Sequence, residues 1–240
     1  MTTQVAIVLA LAVGMALEPH SASEEVLTRS RAMYQALKSY ADTGVVIVEG
    51  QSPGAPLTSE KHTFTTYYRA PGHYLFEFKE DPNAGGDHVA IWSGGADFRS
   101  WWSATGVAEA YPAAQAISAF ATMSFPTGSS ALHMASWLLP KVSIQGTLTD
   151  IRNPSSGGTV DLGGRRCHRV NGEVQAHFGA ARAVSIWIEV ETLLVRRILE
   201  DTPRGLPAGT IDRSTTDFDP KVNLTIEDSR FEFKTPARQD

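Results

Sequence analysis

The chain has 240 residues, 42% of them hydrophobic and 20% charged, with a net charge of -5. That length and composition suit one globular domain with a sizeable core, and no linker divides the chain. The negative balance argues against nucleic acid as a partner, and Cys167, the single cysteine, leaves no internal disulfide to brace the fold.

Residues 1–23 read as a removable export signal. Val5 to Leu17 is apolar and uncharged, too short to cross a bilayer comfortably, and small residues after it allow cleavage following Ala16 or Ser23. The first basic residue is Arg29, which departs from the usual charged start of such signals. No cysteine lies near residues 15–25 to carry acyl chains, so a soluble periplasmic protein without a stable membrane anchor is expected, with residues 24–240 as one domain.

Residues 24–40 have helical spacing through Val26, Met33, Leu37 and Tyr40, widened by Leu27 and Tyr34, with Ser23 as a cap. From Thr43 the period becomes two. Strands are expected at 44–49, 63–69 and 74–79, the last with Tyr74, Phe76 and Phe78 on one face. Two more, 88–92 and 97–102, flank the turn Ser93-Gly94-Gly95-Ala96. Helical signals occupy 108–139. Strands resume at 143–151, 165–174, 183–190, 194–201, 211–218 and 222–233, where Phe231 and Phe233 alternate with charged residues. The order implies an α+β fold, a large antiparallel sheet that curls with helices on its concave face.

Between Glu109 and Lys141 there is no Asp, Glu, Lys or Arg. Pro112, Pro126 and Gly128 divide this stretch, so it is not a membrane span. Two readings stand: core helices packed on the sheet, or a lid whose apolar face fills a cavity and moves aside for an apolar ligand, with residues 126–130 as its hinge or tip.

Catalytic patterns are weak. The seven histidines show no metal-type spacing, so no metal and no cofactor are expected. Cys167 and His168 are strand neighbours that face opposite ways. The sequence around Ser130 and His133 is not a nucleophile elbow, and Glu189 and Glu191 near Arg196 and Arg197 read as surface pairing. Gly157-Gly158 and Gly163-Gly164 read as turns, 165–169 as a basic hairpin, and Asn223-Leu224-Thr225 as a sequon of little weight inside a strand. The chain is therefore not expected to be an enzyme; a hydrolase built on Ser130/His133 or Cys167 is the least supported alternative.

Several stretches in order resemble the LolA/LolB-like superfamily of periplasmic lipoprotein localisation factors, and within it an uncharacterised branch: residues 68–78 around Arg69 and Pro71, 91–102 beginning Ile91-Trp92-Ser93, 167–170, 187–197 and 231–236. The resemblance implies an unclosed barrel of roughly eleven antiparallel strands with lid helices over a hydrophobic cavity for acyl chains. It also implies that Arg69 holds those helices, although Ala70 here separates it from Pro71. Candidate cavity and lid residues are Arg69, Phe76, Phe78, Trp92, Ile117, Phe120, Phe125, Leu138 and Trp187. The expected function is that of a carrier or binder of a lipid, lipoprotein acyl chain or similar apolar ligand. The alternative is a sensor or interaction module that docks another envelope protein involved in transport or signalling.

Overall fold

The computed structural model describes residues 22–80, 86–124, 126–139, 150–175 and 181–236. Residues 1–21 of the proposed signal, the predicted strand 143–151 up to residue 149, and Phe125 lie outside these residues.

Helix α1 (Ala22–Gln35) buries Ser23, Leu27, Ser30 and Tyr34, one stripe at spacings of four, three and four. Ser23 thus sits inside the first turn rather than at the cap. Tyr40 is not helical either: β1 (Ser39–Gln51) begins before it, and its ring faces the core from the sheet. β2 (Thr58–Arg69), β3 (His73–Lys79), β4 (His88–Gly94), β5 (Phe98–Trp102) and β6 (Ala108–Tyr111) follow as a meander. One turn of 3-10 helix, α2 (Ala116–Ser124) and α3 (Ser130–Leu138) come next. A second meander then comprises β7 (Arg152–Leu162), β8 (Arg165–Gln175), β9 (Ala181–Glu189), β10 (Val195–Glu200) and β11 (Ile211–Asp217).

All described pairings are antiparallel, in the order β6-β5-β4-β3-β2-β1-β11-β10-β9-β8-β7, with the short β12 (Lys221–Val222) added to the start of β1. Pairing of β1 with β11 from Val45↔Asp217 to Gln51↔Ile211 fuses the meanders. This is the α+β, unclosed antiparallel sheet that the sequence implies. β6 and β7 lie at opposite ends of it, so the chain between them must traverse its width. The uncharged stretch is part of that traverse.

Strand alternation gives the sheet two distinct faces. On the concave side Tyr40, Val46, Phe64, Tyr74, Phe76, Phe78, Val89, Ile91, Ile186, Ile188 and Ile198 form one buried cluster with α1, α2 and α3. Phe64 crosses β1 where Gly44 has no side chain; a Cβ there would stand 2.0 Å from the Phe64 ring. On the convex side Leu75, Ala90, Trp92 and Trp101 form a smaller cluster with Ile226 and Phe231 of the C-terminal segment.

Two strand expectations need correction. β7 covers Asn153-Pro154 and Gly157-Gly158, read from sequence as loop; it is a bulged edge strand, mostly exposed on both faces, so it carries no alternating apolar signal. Residues 222–233 are not a strand beyond Val222: the chain forms a 3-10 turn at Asp228–Phe231. The alternation of Phe231 and Phe233 instead reflects a strap lying across the convex face.

Candidate functional site

The concave face and its helical cover form the most distinctive region. Each of the nine residues of α3 is buried, the pattern of a helix enclosed on every side. α2 buries Ala116, Ala119, Phe120 and Met123, and Phe120 meets the sheet edge-on at Tyr74 and Phe98, with ring centroids 5.4 and 5.5 Å apart. α3 joins α1 through Trp137, whose ring stands perpendicular to Tyr34 at 4.6 Å. α1 is fixed in turn to the sheet: the Val195 amide donates to the Tyr34 hydroxyl at 3.1 Å, and Ser30 Oγ donates to the Leu193 carbonyl at 2.8 Å.

Polar side chains of the α2–α3 unit turn back on their own backbone. Thr122 donates to Ser118 O, Ser124 to Ala121 O, Thr127 to Met123 O, Ser130 to Thr127 O and Ser136 to His133 O, all at 2.7–2.9 Å. Gly128 and Ser129, both at positive φ, make the turn between the helices, and this turn rests on Val46 and Val48. Polar contacts from the unit to the sheet are few among the described residues. The Tyr40 hydroxyl donates to Met134 Sδ at 3.8 Å, Tyr111 lies beside Thr122, and His133 Nε2 is 3.7 Å from Glu200.

Beneath the cover, several buried polar atoms have no hydrogen-bond partners among the described residues: Thr66 Oγ1, Tyr74 OH, Thr216 Oγ1, Trp137 Nε1 and both ring nitrogens of His133. Burial holds the His133 imidazole below its usual pKa, opposed by Glu200. Burial pushes the Asp42 carboxyl up to about 7, although the Asp219 amide donates to it at 2.7 Å. The space enclosed by Tyr34, His133, Met134, Trp137, Val195, Ile198 and Phe218 is only about 10 Å³, barely one water and far below the several hundred Å³ of ordinary ligand pockets. The helices fill the concavity. A separate groove of about 350 Å³ runs beside it, between Met33, Ala36 and Leu37 of the α1 end and Thr192, Leu194, Val222 and Asn223.

The structure brings five of the nine candidate residues together. Phe76, Phe78, Phe120 and Leu138 are fully buried in the concave cluster and Ile117 packs against it. Trp92 is on the other side, in the convex cluster, and Trp187 faces outward between Ile186 and Ile188 with Arg169 over its ring at 5.1 Å. Arg69 engages the C-terminal strap: Nη1 donates to Ile226 O at 2.9 Å, Nη2 pairs with Asp228, and the guanidinium lies 5.1 Å from the Phe231 ring. Sequence reading missed Thr66, Thr216, Glu200 and Asp42; single polar residues within strands give no signal until the register shows which face they take.

The weaker catalytic patterns resolve structurally. Cys167 is fully buried opposite Glu189 while His168 pairs with Ile188 on the other face, and burial pushes the thiol up. Ser130 donates to a carbonyl rather than to His133. Glu189 and Arg196 are not a surface pair: both are buried, and Arg196 Nη2 donates to Glu189 Oε2 at 2.7 Å. Arg197 pairs with Asp217 instead, and Glu191 is exposed in the following turn.

No family model matches the chain, and no characterised relative matches it. Solved structures do. An uncharacterised conserved protein of Thermus thermophilus superposes with a TM-score of 0.50 at 12% identity, over 90% of this chain and 96% of that one, and so shares the fold. The lipoprotein LppX of Mycobacterium tuberculosis matches with a TM-score of 0.45 at 14% identity over 85% and 97%. A LolA superfamily protein of Nitrosomonas europaea matches at 0.35 and 9% over 88% and 97%.

Proposed function

We propose that the protein is an exported, soluble carrier or binding protein. It shelters a lipid, a lipoprotein acyl chain or a similar apolar ligand between the concave face of the sheet and a displaceable α2–α3 cover. The observation that carries this reading is the independence of the cover. Most of its hydroxyls are bonded within the unit, and few polar contacts tie it to the sheet among the described residues. Each partnerless polar group trapped beneath it costs about 1–3 kcal/mol. Sheltering an acyl chain returns about 0.8 kcal/mol per methylene. A chain of ordinary length therefore offsets the opening of a cover held chiefly by apolar contact.

A reversible tether tests this directly. A Cβ built at Gly128 lies 3.1 Å from Val48 Cγ2, so the Val48 Cβ is at most one carbon–carbon bond further, close to the Cβ separation a disulfide spans. The Val48→Cys/Gly128→Cys variant is expected to take up a fluorescent fatty acid when reduced and to lose uptake when oxidised. Unchanged uptake by the oxidised form would refute a displaceable cover. Absence of uptake in both forms and in the parent protein, with no lipid extracted from purified material, would refute the carrier.

A further inference from the structure

At the rim of the concave face, next to the α2–α3 turn, lies a second cluster that the carrier reading does not use. His62 pairs with Val46, one of the two valines under Gly128. Glu60 sits two residues earlier on the same face of β2, and Glu80 follows the end of β3, opposite His62 by continuation of the Thr63↔Lys79 register. Spacing of two along a strand and direct opposition across a pair are what bring three side chains to one point on a sheet. One ligand atom from each of Glu60, His62 and Glu80 lies within 4.8 Å of the others.

Four features separate this cluster from ordinary surface charge. The His62 ring is buried, 8% exposed, against Phe78 at 5.3 Å, and its Nδ1 has no hydrogen-bond partner among the described residues. Both ring nitrogens face carboxylates without hydrogen-bonding them: Nε2 is 3.6 Å from Glu60 Oε2 and Nδ1 is 4.0 Å from Glu80 Oε1. Among the described residues no Lys or Arg forms an ion pair with Glu60 or Glu80, whereas Glu49 and Glu77 nearby each have a basic partner. Glu80 is also oriented: its Oε2 accepts the Asp87 amide at 3.0 Å, leaving Oε1 toward His62. That is the kind of outer support that positions a ligating carboxylate.

We propose that Glu60, His62 and Glu80 bind a divalent cation of the zinc class. An imidazole with two carboxylates is a mixed nitrogen and oxygen donor set, which suits zinc better than magnesium or calcium. One zinc takes a single ring nitrogen of His62, and with one ligand atom from each residue the three lie within 4.8 Å of one another. Ligand atoms around tetrahedral zinc stand roughly 3.4 Å apart, so closure on the ion needs side-chain movements of about 1 Å. Three protein ligands leave one tetrahedral position open at the rim. The site stands independently of the carrier reading, since it uses none of the residues under the cover.

The test is calorimetric titration of the EDTA-treated, untagged full chain with zinc chloride. One zinc per chain is expected, with a rise in melting temperature by mass action. Glu80→Gln and Glu60→Gln, both at solvent-accessible positions, are expected to weaken binding by roughly tenfold or more without altering the circular dichroism spectrum. His62→Asn is expected to abolish binding. Lack of saturable binding by the parent chain overturns the proposal, and so does equal affinity in the parent and the two glutamine variants, which would place zinc elsewhere.

Discussion

The two faces of the sheet are covered in opposite ways. On the convex face the C-terminal strap is held by directional bonds. Arg69 clasps Ile226 O, Asp228 and the Phe231 ring, and Arg230 lies over Tyr67. Beside the strap, Glu77 binds His88 and Lys79, each at 2.9 Å, and the His88 bond foremost holds its carboxyl down to about 2. On the concave face the buried cluster is far larger, yet most hydroxyls of α2 and α3 bond their own backbone, and Thr66, Tyr74 and Thr216 have no hydrogen-bond partners among the described residues. A cover meant to stay is stitched with polar bonds of fixed geometry. One that relies on non-directional apolar contact can separate and close again without reassembling such bonds.

The contrast can be broken most forcefully within the concave cluster itself. Phe76 and Phe120 are equally buried, one in the sheet and the other in the cover. Phe76→Ala is expected to lower global stability by about 3–5 kcal/mol in urea denaturation. Phe120→Ala should lower it by roughly half that or less, while amide exchange quickens selectively in residues 116–138. Equal losses without local exchange would mean that cover and sheet are one cooperative core.

A smaller effect comes from Asp42. Its folded pKa of about 7 lies above the unfolded value, so the protonated form is favoured in the folded state. Its stabilising contribution is complete below about pH 4 and is lost as pH rises through about 7. Asp42→Asn is therefore expected to gain roughly 2–4 kcal/mol relative to the parent at pH 8, and nothing at pH 3.5. A constant difference across that range would show that water reaches the carboxylate beneath the cover. Smallest is Arg69→Ala, expected to cost about 1–2 kcal/mol and to open residues 224–236 to protease. Exposure of residues 116–138 instead would return Arg69 to the role of holding the helices.

The fold was legible wherever one face of an element is dry. Tyr74, Phe76 and Phe78 announce β3, and the gap in charge from 110 to 140 announces the traverse over the concave face. Legibility failed where the physical signal is shared or absent. Tyr40 follows Leu37 at a helical interval yet belongs to a strand, and β7 is wet on both faces. Phe231 and Phe233 alternate as a strand would because a strap on a flat surface also has two sides. In the site, aromatic size selected Trp92 and Trp187 together with Phe76 and Phe78. Face is decided by register, and register places both tryptophans outside the concave cluster.

An unclosed sheet has two free rims, and each is a template on which another chain can polymerise. The described sheet ends on β6, four residues long, and on β7, broken by two register shifts and carrying Pro154 and Gly157. A rim too short to recruit a partner, and one too irregular to copy, let the sheet stay open without seeding fibrils of itself. Straightening β7 by replacing Pro154 and Gly157 with valine would therefore threaten solubility before it threatened the fold.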